Sequence, residues 1–258
     1  MGGLSVHSSQ FTVHRSPFTI HHSPFTVHGY RYSVDRERFK TSCVQIGVGL
    51  SEFQLNAFER FEENLYAANQ VMNLTRVPRE ECWLRHFVDS LLIHEFILDN
   101  STVLDIGSGP GFPAWPLACA RPDLKVTALD SSNKMTGFVR NNPLTNLEVM
   151  TARAEQWGVR GGFDVVTGRA LAPLPIQIEL SASPTKIGGL VIPMRSANEI
   201  SQAQNLKVRK LGLTLLRIEE RALPGTDIIR AFPIYEKTDP TPKRYPRAWT
   251  EIKRQPIA

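Results

Sequence analysis

Three closely spaced glycines form the first segment of the sequence whose residue types suit ligand chemistry. Gly107, Gly109 and Gly111 directly follow residues 102–106, a β-branched run typical of a buried strand. Glycines at a strand-to-helix turn permit positive φ and let a ligand approach the backbone, and the following helix offers unpaired N–H groups. The dinucleotide fingerprint would need a further glycine where Phe112 stands, so a nicotinamide enzyme is disfavoured.

Two carboxylates accompany these glycines. Asp105 lies inside the same predicted strand, and Asp130 directly follows the next one, residues 125–129. Carboxylates at adjacent strand ends can face an amino group and a ribose diol, and S-adenosylmethionine carries both. Asp130 alone would be better explained as a cap of the following helix, but its position about 20 residues after the glycines favours ligand binding.

Short β-branched runs alternate with helical segments from residue 101 onward, which is typical of a parallel sheet covered on both faces. Predicted strands cover residues 102–106, 125–129, 147–150, 163–167 and 190–194. Further strands at 213–218 and 228–235 would complete a mostly parallel seven-stranded sheet with an antiparallel edge. Two helices precede it: Ser51 and Gln54 predict a capping box for the first, and a wide apolar stripe over residues 83–92 predicts the second.

These patterns divide the chain into a disordered low-complexity extension (1–45), an N-terminal helical segment (46–100), a Rossmann-like core (101–240) and a basic tail (241–258). The extension repeats Phe-Thr-(Val/Ile)-His at residues 11–14, 18–21 and 25–28, and Pro17 and Pro24 interrupt any helix there. A His-rich tract can bind metal, but no acidic or cysteine ligands accompany these histidines. We therefore expect no metal site.

Composition limits the class of protein further. The 258 residues, 41% hydrophobic and 21% charged, suffice for one large core. No apolar stretch approaches the roughly 20 residues of a spanning helix, and no secretory signal is evident, so we expect a cytoplasmic protein that contacts no membrane. The three cysteines are widely spaced, which fits reduced thiols rather than a disulfide framework.

The net charge of +5 is unevenly distributed along the chain. Residues 51–100 hold four basic and nine acidic side chains, whereas residues 201–258 hold twelve basic and six acidic ones. A basic C-terminal quarter suits a polyanionic partner such as nucleic acid, and it equally suits an ordinary solvated surface.

Beyond the glycine turn, the chain contains an ordered series of motifs: Asn69-x-x-x-Asn73-Leu74-Thr75, Arg85-His86-x-x-Asp89-Ser90-Leu91, Leu129-Asp130-Ser131, Ala152-Arg153-Ala154-Glu155, Phe163-Asp164-Val165-Val166, Arg169-Ala170-Leu171-Ala172 and Pro242-Lys243-Arg244-Tyr245-Pro246-Arg247. Over about residues 50–257 this series resembles the RsmG/GidB family of bacterial 16S ribosomal RNA guanine-N7 methyltransferases. The glycine turn alone would indicate only a class I methyltransferase. The segment before the first strand and the basic Tyr-Pro-Arg segment make the resemblance specific.

The resemblance implies an α/β class I fold, S-adenosylmethionine as cofactor, and 16S rRNA or the small ribosomal subunit as partner of a monomer. It places eleven residues at the cofactor: Asp105, Gly107, Gly109, Gly111, Phe112, Asp130, Ser131, Ser132, Ala154, Glu155 and Arg169. Arg169 and Arg195 are the candidate catalytic residues beside the transfer cleft, although family members usually carry a lysine where Arg195 stands. The candidate RNA contacts are His86, Lys243, Arg244, Tyr245 and Arg247.

Each of these assignments has a plainer alternative. Glu155 could be an exposed helix residue and Arg169 a surface arginine. His86 lies three residues before Asp89 and could simply pair with it on one helix. The C-terminal segment could be a charged tail whose aromatic residue is anchored on the core.

The implied chemistry makes few demands on the protein. N7 of guanine carries an available lone pair, so its attack on a sulfonium methyl group needs alignment but no catalytic base. The sequence accordingly offers no convincing Ser-His-Asp or Cys-His set. Two alternatives stay open: a class I methyltransferase for a small molecule or protein, and a non-catalytic RNA-binding factor, against which the intact set of glycines and carboxylates argues.

Overall fold

The computed structural model describes residues 35–257 and contains one seven-stranded sheet. Its strands are β1 (Thr102–Ile106), β2 (Lys125–Asp130), β3 (Leu147–Thr151), β4 (Phe163–Arg169), β5 (Thr185–Ser196), β6 (Leu213–Ala222) and β7 (Ile229–Lys237). They lie in the order β3-β2-β1-β4-β5-β7-β6. The first five run parallel, and β7 is antiparallel to both β5 and β6. The predicted α/β fold with an antiparallel edge is confirmed.

Helices cover both faces of this sheet. On one face lie α1 (Arg36–Gln45), α2 (Glu52–Met72), α3 (Asp89–Leu91), α4 (Ala114–Ala120) and α5 (Asn133–Arg140). On the other lie α6 (Leu174–Ala182), α7 (Ile200–Asn205) and α8 (Trp249–Arg254). Each face of the sheet packs against its own set of helices, and we call the core on the α1–α5 face the first core and the core on the α6–α8 face the second core. Successive strand residues point to opposite faces, so the Val103 side chain of β1 lies in the first core and the Leu104 side chain lies in the second.

The two predicted helices before β1 are present, the second in altered form. The Ser51 N–H donates to Oε1 of Gln54 at 2.8 Å and the Gln54 N–H returns to Oγ of Ser51 at 3.3 Å, so the predicted capping box opens α2. The apolar stripe after residue 82 forms a π-helical turn, Trp83–Val88, which continues into α3. Such turns are rare and are frequent at functional sites.

The predicted start of order after residue 45 is wrong, because α1 belongs to the folded chain. Asp35 caps α1, and Phe39 and Cys43 are buried on one side of it. The Phe39 ring packs 4.9 Å from that of Phe58 on α2. Only these two apolar residues face the core in an otherwise charged segment, so periodicity did not reveal the helix. The heptad repeat lies outside the described residues, and its assignment stays a prediction.

The C-terminal residues pack on the sheet rather than extending from it. Tyr245 is 6% exposed, and Ile252 and Ile257 are 0% and 3% exposed. The expectation of a basic tail is therefore corrected: its charged residues alternate with apolar ones that enter the second core. Charge counts alone cannot distinguish such a segment from a solvated arm.

Replacing Phe39 with alanine should destabilise the protein by about 3–5 kcal/mol, since a fully buried aromatic side chain is lost from a packed cluster. For a chain of this size the melting temperature should fall by about 2–4 °C for each kcal/mol. Val44→Ala on the same helix removes a side chain that is 63% exposed and serves as the control. Equal melting temperatures for both variants would show that α1 contributes nothing to the fold.

Candidate active site

The glycine turn after β1 has the backbone geometry that its residues predict. Gly107, Gly109 and Gly111 have φ of 71°, 55° and 106°. The Gly107 N–H donates to the Leu129 carbonyl at 2.7 Å, which ties the turn to β2. A Cβ at Gly111 would lie 3.1 Å from Cβ of Trp115, so this glycine lets α4 pack closely rather than admitting a ligand.

A cavity of about 240 Å³ opens at the carboxyl ends of β1 and β2. Its wall contains five of the residues predicted at the cofactor: Gly107, Asp130, Ser131, Ala154 and Glu155. Leu171 and Trp249 also line this cavity, which we call the β1–β2 cavity. Ligands of open α/β sheets bind at this edge. The other six residues predicted at the cofactor do not line it: Asp105, Gly109, Gly111, Phe112, Ser132 and Arg169.

Asp130 fixes the rim of the β1–β2 cavity. Its Oδ2 accepts the Gly109 N–H at 2.9 Å, and its Oδ1 accepts the Ser132 N–H at 2.8 Å. Each carboxylate oxygen retains a second lone pair for a hydroxyl donor. Ser132 caps α5 by accepting the Met135 N–H and does not line the cavity, so its predicted cofactor contact corresponds to a structural role.

Asp105 is completely buried beneath the glycine turn. Its Oδ2 accepts the Ala114 N–H at 2.9 Å, whereas its Oδ1 has no hydrogen-bond partner. Burial raises the pKa of Asp105 to about 7. A buried carboxylate with one unsatisfied oxygen is costly, and such groups are concentrated at ligand sites.

Glu155 also carries a carboxylate oxygen without a hydrogen-bond donor. It lies in the 3-10 turn Ala154–Gln156 after β3, and its side chain is 6% exposed. Its buried Oε1 accepts no hydrogen bond, and the Arg153 guanidinium lies 3.7 Å away. The alternative of an exposed helix residue is therefore wrong, and this oxygen can accept a hydrogen bond from an amino group in the cavity.

A second cavity, of about 670 Å³, lies on the other side of the chain segment that follows β4. We call it the arginine cavity because four arginines line it: Arg85, Arg169, Arg195 and Arg230. Ala170, Ala172 and Pro173 face this cavity, whereas Leu171 faces the β1–β2 cavity. Residues 169–173 are thus a common wall between the two.

Asp89 organises the arginine cavity. This carboxylate is 1% exposed and accepts from Nη1 of Arg169 at 2.7 Å and from Nε of Arg230 at 2.6 Å. A buried charge must be paired and hydrogen-bonded, and two guanidinium groups satisfy it here. His86 does not pair with Asp89 as the plainer interpretation expected; Nη2 of Arg169 lies 3.0 Å from its Nδ1 instead.

This contact determines the tautomer of His86. A guanidinium has no acceptor, so Nδ1 must accept and the proton resides on Nε2, which donates to Oγ1 of Thr75 at 2.6 Å. Burial, followed by the nearby Arg169 and Arg85 charges, lowers the pKa of His86 to about 3. His86 is therefore neutral at physiological pH, with both ring nitrogens bonded. It is 7% exposed and lines the arginine cavity, so its predicted RNA contact stays a prediction.

Phe112 lies beneath this network rather than in the β1–β2 cavity. Its ring stacks on that of His86 with centroids 4.1 Å apart, and Cζ of Arg169 lies 5.4 Å from its centroid. The predicted cofactor contact of Phe112 is not found among the residues lining that cavity. The Phe112 ring instead packs against both members of the His86–Arg169 pair.

Arg195 lines the arginine cavity, and most N–H groups of its guanidinium already donate hydrogen bonds to other residues of the protein. Nη1 donates to the Ala172 carbonyl at 2.9 Å and to Oε1 of Gln177 at 3.0 Å, and Glu199 pairs with Nε and Nη2. Arg195 is 9% exposed. Its contacts hold residues 169–173 in place, and its catalytic role stays a prediction.

The predicted RNA contacts in the C-terminal segment separate into two groups. Tyr245 is buried, and Arg247 binds the completely buried Glu179 through three guanidinium contacts of 2.6–3.2 Å. Both side chains therefore have structural roles in this segment, and their predicted RNA contacts stay predictions. Lys243 and Arg244 are exposed.

Sequence reasoning missed Arg230 and Trp249. Arg230 stands 141 residues after the Asp89 that it binds, and nothing in its surroundings signals the pair. Trp249 belongs to the basic C-terminal segment, for which the sequence predicted a tail that contacts RNA. Only the sheet topology brings either residue to a cavity.

Within residues 35–257, no group of three or more His, Cys, Asp or Glu side chains could hold a metal ion. In the same range no helix is both long and apolar enough to cross a membrane. The three cysteines are buried and unbonded, as expected of reduced thiols. Burial raises the pKa of Cys43 and of Cys119 to about 12, so these thiols are unreactive.

The strand order, the glycine turn after β1 and the carboxylate that ends β2 define a class I S-adenosylmethionine-dependent methyltransferase. A family described as rRNA small subunit methyltransferase G (GidB) matches residues 54–225, more than half of the chain. The chain belongs to this family, as its motifs predicted.

Curated relatives agree with this assignment. "Ribosomal RNA small subunit methyltransferase G" of Bacillus cytotoxicus is 36% identical over 236 residues, covering 86% of this chain and 98% of that protein. The protein of the same name from Leuconostoc citreum is 34% identical over 238 residues, covering 86% and 99%. A solved S-adenosylmethionine-dependent methyltransferase from Aquifex aeolicus aligns with a TM-score of 0.49 and 16% identity over 66% of this chain and 97% of that chain.

Replacing Asp130 with asparagine should weaken S-adenosylmethionine binding about tenfold or more, because a charge-assisted hydrogen bond contributes about 1.5–3 kcal/mol. The asparagine amide would also face a backbone N–H donor with its own NH₂ group. Isothermal titration calorimetry measures the affinity, and Asp227→Asn at an exposed turn is the control. An unchanged affinity would remove Asp130 from the cofactor site.

His86 should stay neutral well below the usual histidine pKa of about 6.5. A base whose pKa is depressed by folding contributes stability above its unfolded pKa, and that contribution is lost as the pH falls from about 6.5 toward 3. Imidazole ¹⁵N NMR, assigned with a His86→Gln variant, should show the Nε2–H tautomer at pH 6. Titration of His86 near pH 6.5 would contradict the network.

Proposed function

We propose that this protein transfers the methyl group of S-adenosylmethionine to N7 of one guanine in 16S ribosomal RNA. The observation that carries the proposal is the common wall formed by residues 169–173. On one side of it lies a cavity rimmed by carboxylates, and on the other lies the arginine cavity. A methyl group held at this wall can pass from one ligand to the other.

The residues of the β1–β2 cavity fit the cofactor. Asp130 offers free lone pairs to the ribose hydroxyls, and Oε1 of Glu155 offers an acceptor to the adenine amino group. Asp105 is completely buried and does not line the cavity, but its unsatisfied Oδ1 lies beneath the glycine turn, where we place the cationic methionine end. When bound, S-adenosylmethionine supplies an electrophilic methyl group, and the protein has to orient it.

The charges of the arginine cavity favour a polyanionic substrate. Four arginines face two acids, Asp89 and Glu199, which leaves a formal excess of two positive charges in the wall. Guanine gains positive charge as N7 is methylated, so this excess suits the phosphates beside the target base better than the base itself. We place the phosphates at Arg85, which also pairs with Glu81 outside the wall at 2.7 Å, and at Arg230, which also binds Asp89. We place the base against residues 169–173.

Methylation of guanine N7 does not need a proton acceptor, and the described residues that line the arginine cavity do not offer a free one. His86 is neutral, carries its proton on Nε2 and is already bonded on both nitrogens. Arg169 is held by Asp89 and His86, so it presents a fixed charge at the wall. The rate enhancement then comes from alignment of N7, the methyl carbon and sulfur.

Lys243 and Arg244 are exposed, as are Lys253 and Arg254 of the same segment, and we assign Lys243 and Arg244 to RNA phosphates outside the cavity. The names of the relatives support ribosomal RNA of the small subunit as the substrate. A cytoplasmic enzyme fits this assignment, because ribosomal RNA is modified where ribosomes assemble, and the monomeric state stays a prediction.

Incubation with radiolabelled S-adenosylmethionine and small-subunit RNA from cells that lack the modification should give label in 7-methylguanosine at one position. RNA from fully modified cells is the control and should accept none. Label in another nucleoside, or none in RNA while a small molecule or protein accepts the methyl group, would overturn the RNA assignment. Cofactor binding without any transfer would favour the non-catalytic alternative.

A further inference from the structure

The C-terminal helix forms part of the β1–β2 cavity. Trp249, the first residue of α8, lines this cavity together with Asp130, Glu155 and Leu171. Ile252, one turn later, is completely buried in the same core cluster. The positive charge of residues 241–258 suggested an arm that binds RNA. The end of this segment instead packs beside the β1–β2 cavity.

The sheet topology explains why a C-terminal helix is needed there. Parallel strands are joined by crossover connections, which usually carry a helix, and the connection from β3 to β4 must pass across β2 and β1 because these two strands lie between them. Residues 152–162, which follow β3 and lead into β4, contain only the three-residue turn Ala154–Gln156 in place of such a helix. Leu104 and Leu129 of β1 and β2 are instead covered with the help of Ile252.

Several strong contacts hold α8 in this position. The Arg160 guanidinium donates to the backbone carbonyls of Thr241, Lys243 and Tyr245 at 3.2, 3.1 and 2.7 Å. Immediately before α8, Arg247 binds the buried Glu179. Trp249 thus follows a segment that these contacts hold in place, and its side chain lines the cavity.

We propose that Trp249 binds the adenosyl part of S-adenosylmethionine, so that the C-terminal segment is a wall of the cofactor site. The proposal rests on the assignment of this cavity to the cofactor. Asp130 and Glu155 supply hydrogen-bond acceptors, and the indole supplies the flat apolar surface that a purine ring requires. Trp249 is a binding residue and takes no part in the methyl transfer itself.

Calorimetry with S-adenosylmethionine and with its demethylated product, in the absence of RNA, tests this role. Trp249→Ala should weaken both ligands about tenfold or more, as expected for loss of an aromatic contact with a base. Trp249→Phe should retain most of the affinity. Thr250→Ala, at the exposed neighbouring position of α8, is the control and should bind normally. Wild-type affinity in Trp249→Ala would overturn the proposal.

Tryptophan fluorescence gives a second measurement that does not depend on the alanine variant folding. Cofactor binding should change the emission of the wild-type protein, and most of that change should be lost in Trp249→Phe. A full change in Trp249→Phe would place the reporting tryptophan elsewhere and overturn the proposal. Neither measurement involves RNA, so failure of the RNA assay with normal cofactor binding would count against the proposed function alone.

Discussion

One buried carboxylate, Asp89, joins the N-terminal helices to the sheet at the active site. It is shared by Arg169 at the end of β4 and Arg230 at the start of β7. Because a buried ion pair is tolerated only when its charges are fully bonded, each partner restricts the position of the other two. His86 and Phe112 extend this arrangement, since Arg169 is bonded to the first and lies over the second. The shape of the arginine cavity follows from these contacts.

The segment after β4 depends on the same network. Arg169, the last residue of β4, holds its start, and the Arg195 bond to the Ala172 carbonyl holds its far end. Ala170 has φ of 54°, an uncommon value for a residue with a side chain. This backbone turns Leu171 toward one cavity and its two alanine neighbours toward the other. A thin wall held at both ends suits a reaction that must bring two ligands into contact.

Much of the fold and the cofactor side could be predicted from the sequence, because both depend on local patterns. Strand periodicity located all seven strands, and the glycine turn with Asp130 located the β1–β2 cavity. The arginine cavity could not be predicted in the same way. Its central pair joins Asp89 to Arg230, and no local pattern signals a contact over 141 residues. Helix α1 was missed because only Phe39 and Cys43 face the core.

The C-terminal segment shows why a count of charges is a weak guide to a polyanion site. Arg247 neutralises Glu179, Arg230 neutralises Asp89, and Arg221 pairs with Glu95. Part of the basic excess is thus used in internal ion pairs: Glu179 and Asp89 are buried acids, whereas Glu95 is exposed. Among residues 35–257, the positive charge that remains for RNA includes the arginine cavity and exposed residues such as Lys243 and Arg244. The net charge therefore does not locate the substrate site, whereas the positions of individual cations do.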